Sequence, residues 1–213
     1  MICGVDEAGK GSVLGPMVVA AVGAKGSGVI ADLGVKDSKV LSPAERERLF
    51  PLIKKRCKIA TVIIAADEID EIRRGMTMNT CVARAHAEVI RKIAPDTAYV
   101  DACDVNEFRY AETVRSFLDP VCEIVSEHHA DSTYPIVSAA SIIAKVTRDR
   151  ELVKLAKKYG DIGSGYPSDP ITIAYLSSYI DTYHAPPPIA RKSWKTVSTM
   201  LAKKSQRSLS AFF

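Results

Sequence analysis

Three strand-like runs follow one another before any alternation begins, and that order restricts the possible folds more than any other feature of the chain. The first run, ICGVDE, passes through a Gly-rich turn into MVVAAVGA, a β-branched and apolar stretch. Segments of about 2 to 7 and 16 to 25 therefore read as a hairpin. A third run, KIATVIIAA at 58 to 66, follows a helix whose start is well marked: Ser42 as N-cap, Pro43 at the first helical position and Glu45 completing a capping box. That helix spans about 43 to 56 and ends in Lys54, Lys55 and Arg56, which suit the negative end of its dipole.

Beyond this point strands and helices alternate. Helices near 67 to 74 and 78 to 94 precede the strand TAYVDA at 97 to 102, and a helix near 105 to 117 precedes CEIVSEHHA at 122 to 130. The order predicts an α/β fold with a mixed five-stranded sheet flanked by helices. A long helix from about 136 to 159 stops at Gly160; the loop GSGYPSDP, a helix near 171 to 183 and the break at Pro186 to Pro188 follow. The expected division is a unit of residues 1–204, with a core of about 1–150 and a C-terminal helical module of about 151–204. A flexible tail, 205–213, frays after Lys204.

The turn between the first two strands, GVDEAGKGS from Gly4 to Ser12, has the spacing of a nucleotide phosphate loop. Its chemistry is wrong for one. Gly11 stands where a Ser or Thr hydroxyl would hold Mg²⁺, a strand rather than a helix follows, and Asp6 and Glu7 would repel a polyanion. An acidic pair at the end of a strand is a place for a cation. Asp101 ends the strand TAYVD and Asp131 follows CEIVSEHHA, so β-α-β connections would bring four carboxylates to one edge of the sheet. Unpaired, such a cluster is unfavourable; two divalent ions would neutralise it, and oxygen-only ligands suit Mg²⁺ or Mn²⁺.

Composition removes several other classes. With 47 % hydrophobic and 25 % charged residues the chain has ordinary globular usage, and no apolar run approaches the ~18 residues of a membrane span. The N-terminal residues lack a signal pattern, so the expectation is a cytoplasmic protein with no membrane partner. Five cysteines without a C-x-x-C pair suggest neither a zinc site nor a disulfide framework, and the four histidines lack metal-ligand spacing. Charge is uneven: residues 182 to 213 hold six Lys or Arg and no acid, on a remainder with 23 basic and 25 acidic residues. A basic C-terminal third fits a polyanionic partner, and also fits a solvated tail.

GVDEAGKGSVLGP, KDSKVLS, YVDA, HHADSTYPIVSAASIIAKVTRD and GSGYPSDP resemble, in order and spacing, the motif series of type 2 ribonuclease H, and the likeness spans nearly the whole chain. The resemblance implies an RNase H-like core with a C-terminal helical module. It also implies hydrolysis of RNA in RNA–DNA hybrids and incision 5′ to ribonucleotides embedded in duplex DNA, leaving 3′-OH and 5′-phosphate ends. Asp6, Glu7, Asp101 and Asp131 match the family's metal-binding carboxylates, with two ions working by two-metal catalysis. His129 is near enough in sequence to assist Asp131, although a packing role at the strand end suits it as well.

For substrate, Gly9, Lys10 and Gly11 resemble the family's Gly-Arg/Lys-Gly turn that meets the ribose 2′-OH, with Lys10 where Arg is commoner. Tyr166 matches the tyrosine that packs on the neighbouring sugar. Lys39, Lys145 and Arg148 are candidates for phosphate contacts. The last residues, QRSLSAFF, place Gln206, Leu209, Phe212 and Phe213 in the pattern of a peptide that docks on ring-shaped replication sliding clamps. The expected partners are thus RNA–DNA hybrid, ribonucleotide-containing duplex DNA and the sliding clamp, engaged by a monomer. Two other readings remain at this stage: a non-catalytic, clamp-tethered hybrid-binding module, and a DNA repair nuclease on a related fold.

Overall fold

The computed structural model describes residues 1–26, 28–31, 33–35, 41–120 and 122–210, the last six through their backbone alone. The strands are β1 (Ile2–Ala8), β2 (Met17–Ala24), β3 (Lys58–Ile64), β4 (Thr97–Asp101) and β5 (Glu123–Glu127). Between and after them lie α1 (Gly28–Ala31), α2 (Pro43–Arg56), α3 (Ala66–Ile72), α4 (Met78–Ile93), α5 (Glu107–Arg115), α6 (Ala130–Thr133), α7 (Pro135–Tyr159), α8 (Pro170–Tyr183) and α9 (Lys195–Ser210).

The strands form one five-stranded sheet in the order β3-β2-β1-β4-β5. The hairpin pairs β1 with β2 antiparallel, from Ile2 opposite Ala24 to Ala8 opposite Val18. On its other side β1 runs parallel to β4, with Val5 opposite Val100, and β4 runs parallel to β5, with Asp101 opposite Glu127. The sheet is mixed, as the order of the sequence segments predicts.

Contacts divide the chain into two compact units: Met1–Ala8, Val18–Ile63 and Met76–Arg148 form the first, while Gly9–Met17, Ile64–Gly75 and the chain from Asp149 form the second. In the first, β2 is buried along its whole length, which is why it reads as an unbroken apolar run instead of an alternating one. Val18, Ala20 and Val22 join Ile136, Val137, Ala140, Ile143 and Ala144 of α7 in its core. Each fully buried Val or Ile contributes about 1.5–3 kcal/mol of transfer free energy. Gly4 sets how closely strand and helix meet: a Cβ there would lie 2.3 Å from the backbone carbon and oxygen of Ile136. No larger residue fits without moving α7 away from β1.

The second unit packs Val13 and Leu14 with Leu152, Ile162, Leu176, Ile180, Ile189 and Val197. Its helix α8 starts at Asp169, whose side chain accepts from the Ile171 N–H at 3.0 Å and from the Ser164 N–H and hydroxyl at 2.6 and 2.7 Å.

Three expectations change. Asp6 and Glu7 do not end the first strand, because β1 continues to Ala8, so the two side chains take opposite faces. The strand predicted through 130 ends at Glu127, because His129 has a left-handed backbone (φ 56°) and caps α6. Asp131 accordingly lies in the first turn of a short helix. The last helix, α9, is described through Ser210.

Candidate active site

β1 and β4 deliver the acidic residues. Asp6 is 5 % exposed, and its carboxylate accepts from the Glu7 N–H at 2.7 Å. Burial is the largest cause that pushes its pKa well above the ordinary carboxylate range; the charge of Glu7 and then that of Asp101 push the same way. A hydrogen bond with Ser141, on α7, pulls in the opposite direction. Burial and like charge thus oppose ionisation of Asp6, and a bound cation would favour it.

Glu7 turns to the other face of the sheet. Its Oε2 lies 3.2 Å from His86 Nε2, and His86 Nδ1 lies 3.1 Å from the Tyr110 hydroxyl. His86 and Tyr110 are both buried, so Glu7 is held from behind by a fixed imidazole whose other nitrogen is engaged. Sequence reasoning gave His86 no functional part. The available signal was weak: His86 lies on the buried face of α4 in an otherwise apolar stretch, AHA.

Asp101 is half-buried at the end of β4, and its Oδ1 accepts from the Ala130 N–H at 2.9 Å. That bond ties the first turn of α6 to the strand end, and the next residue is Asp131, 3 % exposed. The structure therefore brings Asp6, Glu7 and Asp101 within electrostatic reach of one another and fixes the backbone beside Asp131 to Asp101. Among the described residues no three His, Cys, Asp or Glu side chains are drawn together into a group that would hold a metal ion as they stand. Strand alternation is the physical reason for the spread between Asp6 and Glu7.

The donor chemistry nevertheless fits a hard divalent cation. All four side chains offer oxygen, Asp6 and Asp131 are buried, and like charge raises the proton affinity of Asp6. A bound cation would offset that repulsion, and the carboxylates would have to close on it.

In the second unit, the turn after β1 holds Gly9, Lys10 and Gly11. Gly9 is buried with φ 84°, a conformation that only glycine adopts without strain, and its N–H donates to the Tyr166 hydroxyl at 3.1 Å. Lys10 is half-buried and Gly11 exposed. A Cβ on Gly11 would meet nothing within 4 Å, and its φ is not positive. The fold makes no demand for glycine there.

Lys145 and Arg148 are three apart on α7, Lys145 half-buried and Arg148 3 % exposed. His128 is exposed; its N–H donates to Glu107 at 2.6 Å, and its Nε2 lies 3.4 Å from the Val105 carbonyl. Lys39, Phe212 and Phe213 lie outside the described residues. Gln206 and Leu209 are described only as helical backbone. No helix among the described residues is long and apolar enough to cross a membrane. Sequence reasoning also missed Arg191, counted there only as one of six basic residues in the C-terminal stretch; it is fully buried.

Comparison with known proteins agrees with this architecture. The family model described as Ribonuclease HII matches residues 3–197. A ribonuclease HII of Methanoregula boonei is 75 % identical over 213 residues, covering all of both chains. The crystal structure of a ribonuclease H2 from Pyrococcus horikoshii superimposes with a TM-score of 0.87 at 42 % identity, covering 95 % of this chain and 97 % of that one. A PCNA:RNase HII complex from Archaeoglobus fulgidus contains a chain matching with a TM-score of 0.87 at 42 % identity, over 94 % of this chain and 96 % of that one. With a mixed five-stranded sheet, flanking helices and a helical C-terminal part, the chain belongs to the ribonuclease HII family and is a ribonuclease H, a metal-dependent hydrolase.

Proposed function

We propose that the chain is an endoribonuclease that hydrolyses the RNA strand of RNA–DNA hybrids and also incises duplex DNA 5′ to an embedded ribonucleotide, leaving 3′-OH and 5′-phosphate ends. Asp6, Glu7, Asp101 and Asp131 would hold two divalent ions, Mg²⁺ or Mn²⁺. Such ions supply an activated water and charge stabilisation for the leaving 3′-oxygen. The observation that carries this reading is buried Asp6, whose charge is opposed by Glu7 and Asp101 in an all-oxygen donor set. The chain's own work is to hold Glu7 against His86, to anchor Asp101 through the Ala130 N–H, and to keep Asp6 out of bulk water.

Discrimination of RNA from DNA falls to the Gly9-Lys10-Gly11 turn and to Tyr166, whose hydroxyl accepts from Gly9. Gly11 supports this reading because nothing in the fold requires a glycine at its position, while a sugar approaching the backbone would. Lys39, Lys145 and Arg148 would contact phosphates, giving affinity and salt dependence without sequence preference. The relative found assembled with PCNA supports a second attachment, in which Gln206, Leu209, Phe212 and Phe213 dock the chain on a sliding clamp. In this reading residues 1–204 are the catalytic unit, 205–213 the attachment, and the protein acts as a monomer.

The test is cleavage of a labelled RNA–DNA hybrid with Mg²⁺ or Mn²⁺, with and without a chelator, by the protein and by Asp6→Asn. Metal-dependent cleavage lost in the variant, with hybrid binding retained, is the expected result. Undiminished turnover by Asp6→Asn would remove the metal assignment, and hybrid binding without cleavage under any metal would favour the binding-module alternative.

A further inference from the structure

Arg191 is the largest fully buried side chain among the described residues, and its guanidinium is spent on backbone carbonyls. Nη2 donates to Gly9 O at 2.6 Å and to Gly15 O at 3.1 Å, Nη1 donates to Lys10 O at 2.8 Å, and Nε donates to Gly15 O at 3.2 Å. Its own N–H donates to Val13 O at 2.9 Å. The guanidinium lies 4.9 Å from the Trp194 ring centroid, and that of Arg73, which caps the C-terminal end of α3, lies at the same distance from that ring. Asp70 of α3 accepts from the Lys192 N–H at 2.7 Å and from the Ser193 N–H and hydroxyl at 3.0 and 2.6 Å. α3 thus holds the 191–194 loop, and the loop holds the turn.

Taking a guanidinium out of water is costly, and an apolar side chain would fill the same space without that cost. What an apolar side chain does not do is orient peptide groups. In a planar trans peptide the C=O and the following N–H point in opposite directions. With Gly9 O and Lys10 O drawn inward to Arg191, the N–H groups of Lys10 and Gly11 are directed away from it, and Gly11 itself is exposed. Charge-assisted donation to those carbonyls also polarises the same two peptide groups, which makes their N–H groups stronger donors.

We propose that Arg191 is a positioning residue for ribonucleotide recognition: from within the fold it aims and polarises the Lys10 and Gly11 N–H groups toward the ribose hydroxyl. This rests on the reading that the Gly9-Lys10-Gly11 turn meets the 2′-OH. Arg191 touches no substrate atom itself. Lysine is not an equivalent, because a compact ammonium lacks the planar fork that spans three carbonyls at once.

The test measures discrimination in the full-length, cleavage-defective Asp6→Asn background, as the ratio of affinities for a duplex with one ribonucleotide and the same duplex with 2′-deoxyribose at that position. Adding Arg191→Lys lowers the ratio by about tenfold, the equivalent of one well-placed hydrogen bond, while affinity for the all-DNA duplex changes little. Asn106→Ala, which removes the side-chain cap of α5 in the first unit, lowers the melting temperature and leaves the ratio unchanged. A merely structural role for Arg191 would give it that same behaviour.

Should Arg191→Lys not fold, Arg191→Gln, a neutral amide that buries no charge and cannot span the three carbonyls, replaces it and lowers the ratio likewise. An unchanged ratio in the folded Arg191→Lys protein, or in Arg191→Gln if that replaces it, overturns the inference. If the Asp6→Asn parent itself shows no discrimination, or Gly11→Ala leaves it intact, the reading of the turn fails first and Arg191 loses its role with it.

Discussion

Burial and two neighbouring carboxylates hold a proton on Asp6 more tightly than water would, and that one side chain links the fold to the chemistry. Replacing it with Asn removes the charge that burial opposes. The metal-free Asp6→Asn protein is therefore expected to melt no lower than the parent at neutral pH, and to have lost cleavage. Thermal melts in chelator beside a cleavage assay check both halves; a large fall in melting temperature would mean that Asp6 is a structural residue. Two glycines of the following turn give a contrasting pair. At Gly9, φ 84° makes any side chain cost about 1–2 kcal/mol, so Gly9→Ala lowers stability and activity together. At Gly11 the space is open and φ is not positive, so Gly11→Ala leaves the melting temperature unchanged and raises KM for a ribonucleotide-bearing duplex. Steady-state kinetics with parallel melts separate the two cases.

At the scale of elements, the start of α8 depends on an ionised cap. Hydrogen bonds from the Ser164 N–H and hydroxyl are the largest causes that hold the Asp169 carboxyl at about 2, below the ordinary value near 4. A depressed carboxylate stabilises the fold fully above its unfolded value, and that contribution is lost as pH falls from about 4 through about 2. The melting-temperature gap between the parent and Asp169→Asn is expected to be widest near neutrality and to close over that window, as melts from pH 7 to pH 2 would record. A gap independent of pH would assign the cap to geometry alone.

Which elements were legible follows from how local their causes are. The start of α2 was readable because Ser42 and Glu45 satisfy each other's backbone N–H groups within four residues. The sheet was readable because apolar runs and acids mark β1, β2 and β4 directly. The end of β5 was not, since His129 turns the chain with a backbone conformation usually marked by glycine. The candidate site divides the same way. Its acids stood out as charges beside core-like strand residues, whereas the His86 support of Glu7 joins residues 79 apart, and the Arg191 bonds to the Gly9 turn join residues 182 apart. Such long-range partners leave no local pattern to read.

For the whole molecule, the proposed division of labour is a catalytic unit that works on any short substrate and a C-terminal segment that delivers it to a partner. Deleting residues 206–213 is expected to leave kcat/KM on short hybrids within about twofold and to abolish association with the sliding clamp, as size-exclusion or calorimetry with purified clamp would report. Clamp binding retained by the shortened chain would refute the attachment. The proposed recognition of a single ribose by its 2′-OH can be measured with an end-labelled DNA duplex carrying one ribonucleotide, incubated with the protein and Mg²⁺ beside an all-DNA duplex. One product, cut 5′ to the ribonucleotide, and no cut in the control are expected. Cutting confined to longer RNA tracts would contradict the roles given to Gly9, Lys10, Gly11 and Tyr166, and equal cutting of both duplexes would contradict recognition of the 2′-OH altogether.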